Sequence, residues 1–265
     1  MDKVVTSAAQ AVIGIVNGSS LAVGGFGVCG VPNVLIAELH HSGITDLEVV
    51  SNNCGVDDWG LGILLKHKQI RRVVASYLGG NKEFERQFLS GELEVELTPQ
   101  GSLAEKLRAG GAGIAAFFTA TGVGTQVAEG GVPWRYAPDG SIAKASPPKE
   151  TREMIWNGEN QTFVLEHALS TDFALVRAWK GDRHGNLVFR QSARNFNPLA
   201  AMAGRITIAE VEHLVDPGEI DPDAVHLPGI YVQRVLPLTA EQAADKRIER
   251  RTVQPKPDAL NGGHH

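Results

Sequence analysis

The sequence predicts an α/β fold: a largely parallel open sheet flanked by helices. Three observations carry this. Up to residue 118, short apolar runs alternate with helical patterns in the order strand, helix, strand, helix. Four glycines fall within residues 24–30, between an apolar run and a helix start, and five more within residues 110–124. Val, Leu, Ile and Phe interleave with them, so neither a collagen repeat nor a flexible linker fits. Strand-like runs then resume after residues 121–160, a stretch rich in Gly, Pro, Ser and charge that reads as a small irregular or β excursion.

The elements follow in order. Val4, Val5, Ala8, Ala9, Val12, Ile13 and Val16 recur at helical spacing and predict an amphipathic helix that Asn17-Gly18 stops. Residues 20–23 read as a short buried strand. Beyond the glycine cluster, Pro32 suits the first turn of a helix to about His40. Residues 47–51 and 70–77 are strands, and residues 82–89 a helix. Leu93-Glu94-Val95-Glu96-Leu97 alternates strictly, so it predicts a strand with one apolar and one acidic face. Thr98-Pro99-Gln100-Gly101 breaks it. Ser102-Leu103-Ala104-Glu105 has capping-box spacing and opens a helix to about Arg108. Residues 114–118 form a short buried strand. Later strands fall at residues 162–166, 173–179, 187–190, 205–211 and 231–236, with a turn at residues 181–186. Residues 1–239 read as one domain. Residues 240–265 read as a charged peripheral helix or tail, whose last residues, Gly262-Gly263-His264-His265, resemble a tag remnant.

Composition narrows the function classes. The chain has 265 residues, 43% hydrophobic and 21% charged, ordinary for a globular protein with a full core. A net charge of -5 gives no long-range attraction to nucleic acid or anionic membrane, so neither is an expected partner. Residues 4–37 carry no charge, but Gln10, Asn17 and the glycines interrupt them, short of the roughly 20 apolar residues a membrane span needs. Two cysteines, Cys29 and Cys54, make no disulfide framework, and a cytoplasmic location is expected. The nine His include no H-x-x-x-H or H-E-x-x-H pair, so no metal site is expected.

Gly25-Phe26-Gly27-Val28-Cys29-Gly30 satisfies G-x-G-x-x-G between a strand and a helix, the pattern of a dinucleotide-binding turn. The complete pattern also needs an acid at the end of the second strand. That strand ends Ser51-Asn52-Asn53-Cys54, its one acid, Glu48, lies at its beginning, and Asp57 and Asp58 come too late. The spacing thus argues against NAD. A tight packing turn is the plain alternative.

Several separated motifs, in order over roughly residues 4–237, resemble family I CoA-transferases, and within them the A (alpha) subunit of 3-oxoacid CoA-transferases. The first is Ser19-Ser20-Leu21-Ala22-Val23-Gly24-Gly25-Phe26-Gly27-Val28-Cys29-Gly30-Val31-Pro32, and Ser51-Asn52-Asn53-Cys54-Gly55 continues it. The longest block runs from Asn81-Lys82-Glu83-Phe84-Glu85-Arg86-Gln87 through Thr98-Pro99-Gln100-Gly101 to Ala109-Gly110-Gly111-Ala112-Gly113. Others are Ala193-Arg194-Asn195-Phe196-Asn197-Pro198 and Pro228-Gly229-Ile230-Tyr231-Val232. Asn33 and Gly79-Gly80-Asn81 depart from the pattern, where the family often has Glu and Gly-Glu-Asn.

The resemblance implies a ping-pong transfer of CoA from succinyl-CoA to a 3-oxoacid such as acetoacetate. 3-Oxoadipate and acetate-linked enzymes look alike in this half. A glutamate carboxylate becomes a glutamyl-CoA thioester and passes CoA to the second acid. That glutamate lies on a partner B subunit, and no segment here matches its surroundings. CoA is then a substrate carrier, and no permanent cofactor is expected. Gly24, Gly25, Phe26, Gly27, Val28, Cys29 and Gly30 would approach CoA or the acyl thioester near the subunit boundary. Gln100, just past a strand's C-terminal end where open α/β sheets place ligands, is the candidate oxyanion donor. Asn52 and Asn53, also at a strand end, are candidates for substrate contact. Glu92, Glu94 and Glu96 read as a solvated or interface face, and Cys29 as a loop thiol with no base near it in sequence. A dinucleotide-dependent oxidoreductase and a phosphosugar isomerase-like or ligand-binding domain are the rival classes.

Overall fold

The computed structural model describes residues 1–247 of the chain, and the tail from 248 to 265 lies outside the described residues. α1 (Ala8–Ala11) is one turn capped by Ser7, whose hydroxyl accepts from Gln10 N. It is followed by β1 (Ser20–Val23), α2 (Asn33–His41), β2 (Leu47–Val50), α3 (Leu61–Lys66), β3 (Ile70–Ala75), α4 (Lys82–Leu89), β4 (Glu94–Leu97) and α5 (Gln100–Gly111). The excursion carries β5 (Ala116–Thr119), α6 (Gln126–Glu129), β6 (Pro133–Tyr136), β7 (Ile142–Ala145), β8 (Thr151–Trp156) and β9 (Glu159–His167). The chain then forms β10 (Thr171–Asp182), β11 (Leu187–Val188), α7 (Asn197–Ala203), β12 (Gly204–Val215), β13 (Arg234–Pro237) and α8 (Ala240–Ala244).

The main sheet has the order β13-β12-β10-β1-β2-β3-β4 with every pair parallel, and β11 adds antiparallel to the end of β10. The chain builds outward from β1 to β4, then returns to the other side of β1 and builds outward again. The order therefore reverses between β1 and β10, the switch point where open α/β sheets leave a crevice at the strands' carboxyl ends.

Period-two alternation divides the core. Leu21, Val23, Val49, Val73, Val95 and Leu175 face α2, α3 and α4, which supply Leu35, Leu39, Leu64, Leu65, Phe84 and Phe88. Ala22, Val50, Val74, Ala174, Val176 and Ala209 face α5 and α7, which supply Leu103, Leu107, Ala200 and Ala201. α4 matches its predicted bounds. Asn81 caps it by accepting from Phe84 N, and Phe84 and Phe88, one turn apart, are buried.

Four expectations change. The helix foreseen across residues 4–16 shrinks to α1, because Val5 N donates to Val235 O and Val4 bridges to β13, so the first residues extend the sheet instead. Ile13 and Val16 are exposed accordingly. The Ser102 capping box does not form. The helix begins two residues earlier behind Pro99, Ser102 Oγ is buried without a partner among the described residues, and Glu105 pairs with Arg108. Gln100 is thus the first residue of α5. β5 is half-buried and leaves the main sheet to pair with β9, beside β8, in a separate antiparallel sheet. α3 and α7 were not foreseen; both are short and rely on burial rather than on caps.

The second glycine cluster has a packing role. A Cβ on Gly110 would stand 1.9 Å from Leu169 O, and one on Gly111 2.4 Å from Met202 Cβ in α7. Gly110→Ala is therefore expected to lower the unfolding midpoint by several degrees. Gly101→Ala, in the same helix with open space around its Cβ, should raise it, because alanine is favoured over glycine in helices by about 1 kcal/mol. Thermal melts in which the two variants shift alike would overturn this assignment.

Candidate active site

A cleft of about 180 Å³ opens at the switch point between β1 and β10. The loop after β1 forms one wall through Val28, Cys29, Gly30 and Val31, and the end of β10 with residues 190–193 forms the other. The glycine loop is tightly self-bonded. Phe26 N donates to Cys29 O and Cys29 N to Phe26 O, closing a two-residue turn over Gly27 and Val28. Gly27 has φ +61°, the sign a primed hairpin turn asks of its first central residue. Its Cβ would meet open space, whereas Gly24, Gly25 and Gly30 are hemmed in by protein atoms.

Asn197 does most of the hemming. It is fully buried at the start of α7. Its Oδ1 accepts from Arg177 N at 3.0 Å, and its Nδ2 donates to Gly30 O and Ala193 O at 2.9 Å each. A Cβ on Gly24 would lie 2.0 Å from Asn197 Oδ1, and one on Gly30 2.7 Å from Nδ2. These two glycines therefore make room for an internal amide, which is the packing reading of the loop. Gly27 alone of the four points into open space.

On the other side of the loop, four consecutive strand ends converge. Asn53 Oδ1 accepts from Gly27 N at 2.9 Å, and its Nδ2 donates to Gly27 O at 3.1 Å. Asn52 Nδ2 donates to Asn53 Oδ1 at 3.0 Å, and Asn52 Oδ1 accepts from Gln100 Nε2 at 2.7 Å and from Ser76 Oγ at 2.8 Å. The structure thus joins Gly27, Asn53, Asn52 and Gln100 into one chain of amides along β1 to β4. Gln100 is exposed, while Asn52 and Asn53 are 3% and 8% exposed. Phe26 and Tyr77, on the same edge of the sheet, are large exposed aromatics.

The helix after the loop offers no phosphate site. Glu210, buried on β12, accepts from Val34 N at 3.0 Å and Leu35 N at 3.1 Å, in the first turn of α2. The N–H of Asn33 is spent on Val31 O. A dinucleotide turn needs that helix terminus free for a pyrophosphate, so the loop matches the motif in sequence but not in function. Arg177, beside Glu210 in the β10–β12 register, ion-pairs with it at 3.4 Å and with Glu212 at 3.1 Å, and donates to Gln242 O and Ala243 O.

The remaining candidates are spent on structure. Glu94 and Glu96 are not a solvated face: Arg72 pairs with both and with Glu48, and Lys144 pairs with Glu94. The Arg86 guanidinium holds the Glu92 carboxyl down at about 2, with Lys68 adding to it. Cys29 Sγ lies 3.3 Å from Ser192 Oγ, and burial pushes the Cys54 thiol up. Asn33 ties Gly60 N to Asp245, so its amide serves a bridge rather than a helix charge. Sequence reading missed Ser76, Arg177, Asn197 and Glu210 as parts of the site's frame. The Asn197-Pro198 pair was a readable signal, since Asn followed by Pro marks a helix start.

Comparison with known proteins gives a consistent picture. Residues 5–237 match the family described as Coenzyme A transferase. A relative from Mycobacterium tuberculosis, named as the A subunit of a probable succinyl-CoA:3-ketoacid coenzyme A transferase, is 66% identical over 254 residues, covering 96% of this chain and all of that one. A Bacillus subtilis relative of the same name is 56% identical, covering 96% of each chain. The rat mitochondrial succinyl-CoA:3-ketoacid coenzyme A transferase 2A is 52% identical, and there the match takes up 97% of this chain but 48% of the relative. Among solved structures, glutaconate coenzyme A-transferase from Acidaminococcus fermentans superposes with a TM-score of 0.73 at 20% identity, covering 92% of this chain and 78% of that one, a likeness of fold.

Burial pushes the Glu210 carboxyl up to about 7, against the pull of Arg177 and the two amides. The folded value then exceeds the ordinary 4.5, so the folded chain holds this proton more tightly than the unfolded one. The resulting stability is complete below the ordinary value and is lost as pH rises through 7. Glu210→Gln, which cannot ionise, should therefore gain on the native chain in Tm as pH rises from 4.5 to 7. A difference in Tm that stays constant across that window would show an unshifted carboxyl.

Proposed function

The chain belongs to the coenzyme A transferase family, and from that membership we propose that it is the A (alpha) half of a succinyl-CoA:3-ketoacid CoA-transferase, with acetoacetate as acceptor. The observation that carries the site is the Gln100 amide, fixed at the carboxyl edge of the sheet and open to solvent. During CoA transfer a carboxylate attacks the thioester carbonyl, and negative charge develops on its oxygen. One Gln100 N–H is committed to Asn52, and the other is free to stabilise that oxygen. The apolar rims of Phe26 and Tyr77 would keep water from the thioester on either side.

The attacking carboxylate is assigned to a B subunit. The acids weighed in this chain, Glu92, Glu94 and Glu96, are tied up in ion pairs. The bacterial relatives are named as one of two kinds of subunit, and the match to the rat enzyme takes up half its length; both support a second half that completes the site. That half would take CoA as a glutamyl thioester and hand it to the 3-oxoacid. CoA would approach along the glycine loop, over Gly27 and Val28.

This chain purified alone should show no CoA transfer, and co-expression with its B subunit should restore transfer and trap a thioester on the partner. Robust turnover by the lone chain would sink the split site. In the assembled enzyme, Gln100→Ala should lower kcat by about 10²–10³-fold if its amide is an oxyanion donor; unchanged turnover would remove that role.

A further inference from the structure

The chain of amides has a direction, and the backbone sets it. Gly27 offers Asn53 one N–H and one C=O, which can only donate and only accept. The Asn53 carboxamide can therefore face Gly27 one way only, with Oδ1 on the N–H and Nδ2 on the C=O. Its Oδ1 has one lone pair left, and that position takes a donor, which Asn52 supplies through Nδ2. Asn52 is thereby turned so that its own Oδ1 looks the other way, toward Ser76 Oγ and Gln100. A carbonyl oxygen accepts only, so Gln100 must present its NH₂ group to it. Both intermediate asparagines are more than nine-tenths buried, which leaves no water to reverse either amide.

From this we propose that Asn52 and Asn53 are positioning residues rather than substrate contacts: they transmit the polarity of the Gly27 peptide groups to Gln100. Ser76, bonded to both the carbonyl and the side chain of Asn52, pins the middle of the relay. This inference rests on Gln100 being the donor to the acyl oxygen. A free glutamine at this exposed edge would populate both amide orientations, and in one of them its carbonyl, not its N–H, would neighbour Asn52's place. The relay holds one orientation, with one hydrogen of Nε2 on Asn52 and the other left for the substrate. It also links the glycine loop to Gln100, so a ligand that shifts Gly27 is felt at the reacting carbonyl.

A double-mutant cycle in the co-purified complex with the B subunit tests this. Asn52→Ala should lower kcat about 10-fold with KM little changed, and adding it to Gln100→Ala should change kcat by less than about 2-fold, because residues acting through one group are not additive. A further loss of about 10-fold in the Gln100→Ala background would mean that Asn52 acts on substrate directly, and would overturn the relay while leaving Gln100 as donor. No effect of Gln100→Ala alone would overturn the donor reading and the relay with it. Should Asn52→Ala fail to assemble, Ser76→Ala runs the same cycle: a smaller loss, of about 3-fold, that vanishes in the Gln100→Ala background supports the relay, and one that persists overturns it.

Discussion

One buried amide organises the edge of the sheet where the site lies. Asn197 spends its oxygen on the backbone of β10 and its two hydrogens on Gly30 and Ala193. A buried carboxamide is costly unless its hydrogen-bonding capacity is used, and here three bonds meet that condition. They also fix three pieces of chain relative to one another: the glycine loop, the centre of β10 and the loop that enters α7. The glycines at 24 and 30 are the other half of the same constraint, since a methyl at either place would collide with the amide. The loop's path follows, and from it the position of Gly27 at the tip, on which Asn53 closes.

The same segment shows why a glycine motif is ambiguous. G-x-G-x-x-G between strand and helix meets two different physical demands with one spelling. In a dinucleotide fold the helix terminus is left open to a pyrophosphate. Here a carboxylate of the protein's own occupies it: Glu210 satisfies the first-turn amides of α2, and Arg177 offsets its charge. The absence of an acid at the end of the second strand already pointed away from a nucleotide. What took its place there, Asn52 and Asn53, belongs to a polar frame of amides instead.

Much of this was legible from spacing alone. The alternation of apolar runs gave the parallel sheet, and α4 was bounded by its Asn81 cap and the Phe84–Phe88 pair. Gln100, Asn52, Asn53 and the glycine loop were all singled out before their bonds were known, and they converge. The failures share a cause: they depend on what lies far away in sequence. Val4 and Val5 carry a helical spacing but pair with Val235, more than two hundred residues on. Ser102 and Glu105 have capping spacing, yet Pro99 had already started the helix. Arg177, Asn197 and Glu210 are single polar residues inside or beside apolar runs, and only the register of β10 against β12 brings them to the loop. Glu94 and Glu96 read as a solvated face because Arg72 and Lys144 lie on other elements.

The pairing of the first residues with β13 also bears on how the protein behaves among its neighbours. An open parallel sheet ends in two strands whose outer N–H and C=O groups can template another chain. At β13, Lys3 and Val5 take the hydrogen bonds of Val235. At β4, the β6–β7 hairpin leans on the strand, with Lys144 on Glu94 and Tyr136 edge-on to Phe88. Neither segment adds much to the core, and neither approaches the site. Their effect is to withhold both margins of the sheet from unintended strand exchange, so that the surfaces left for association are those at the carboxyl ends of the strands and in the loops above them.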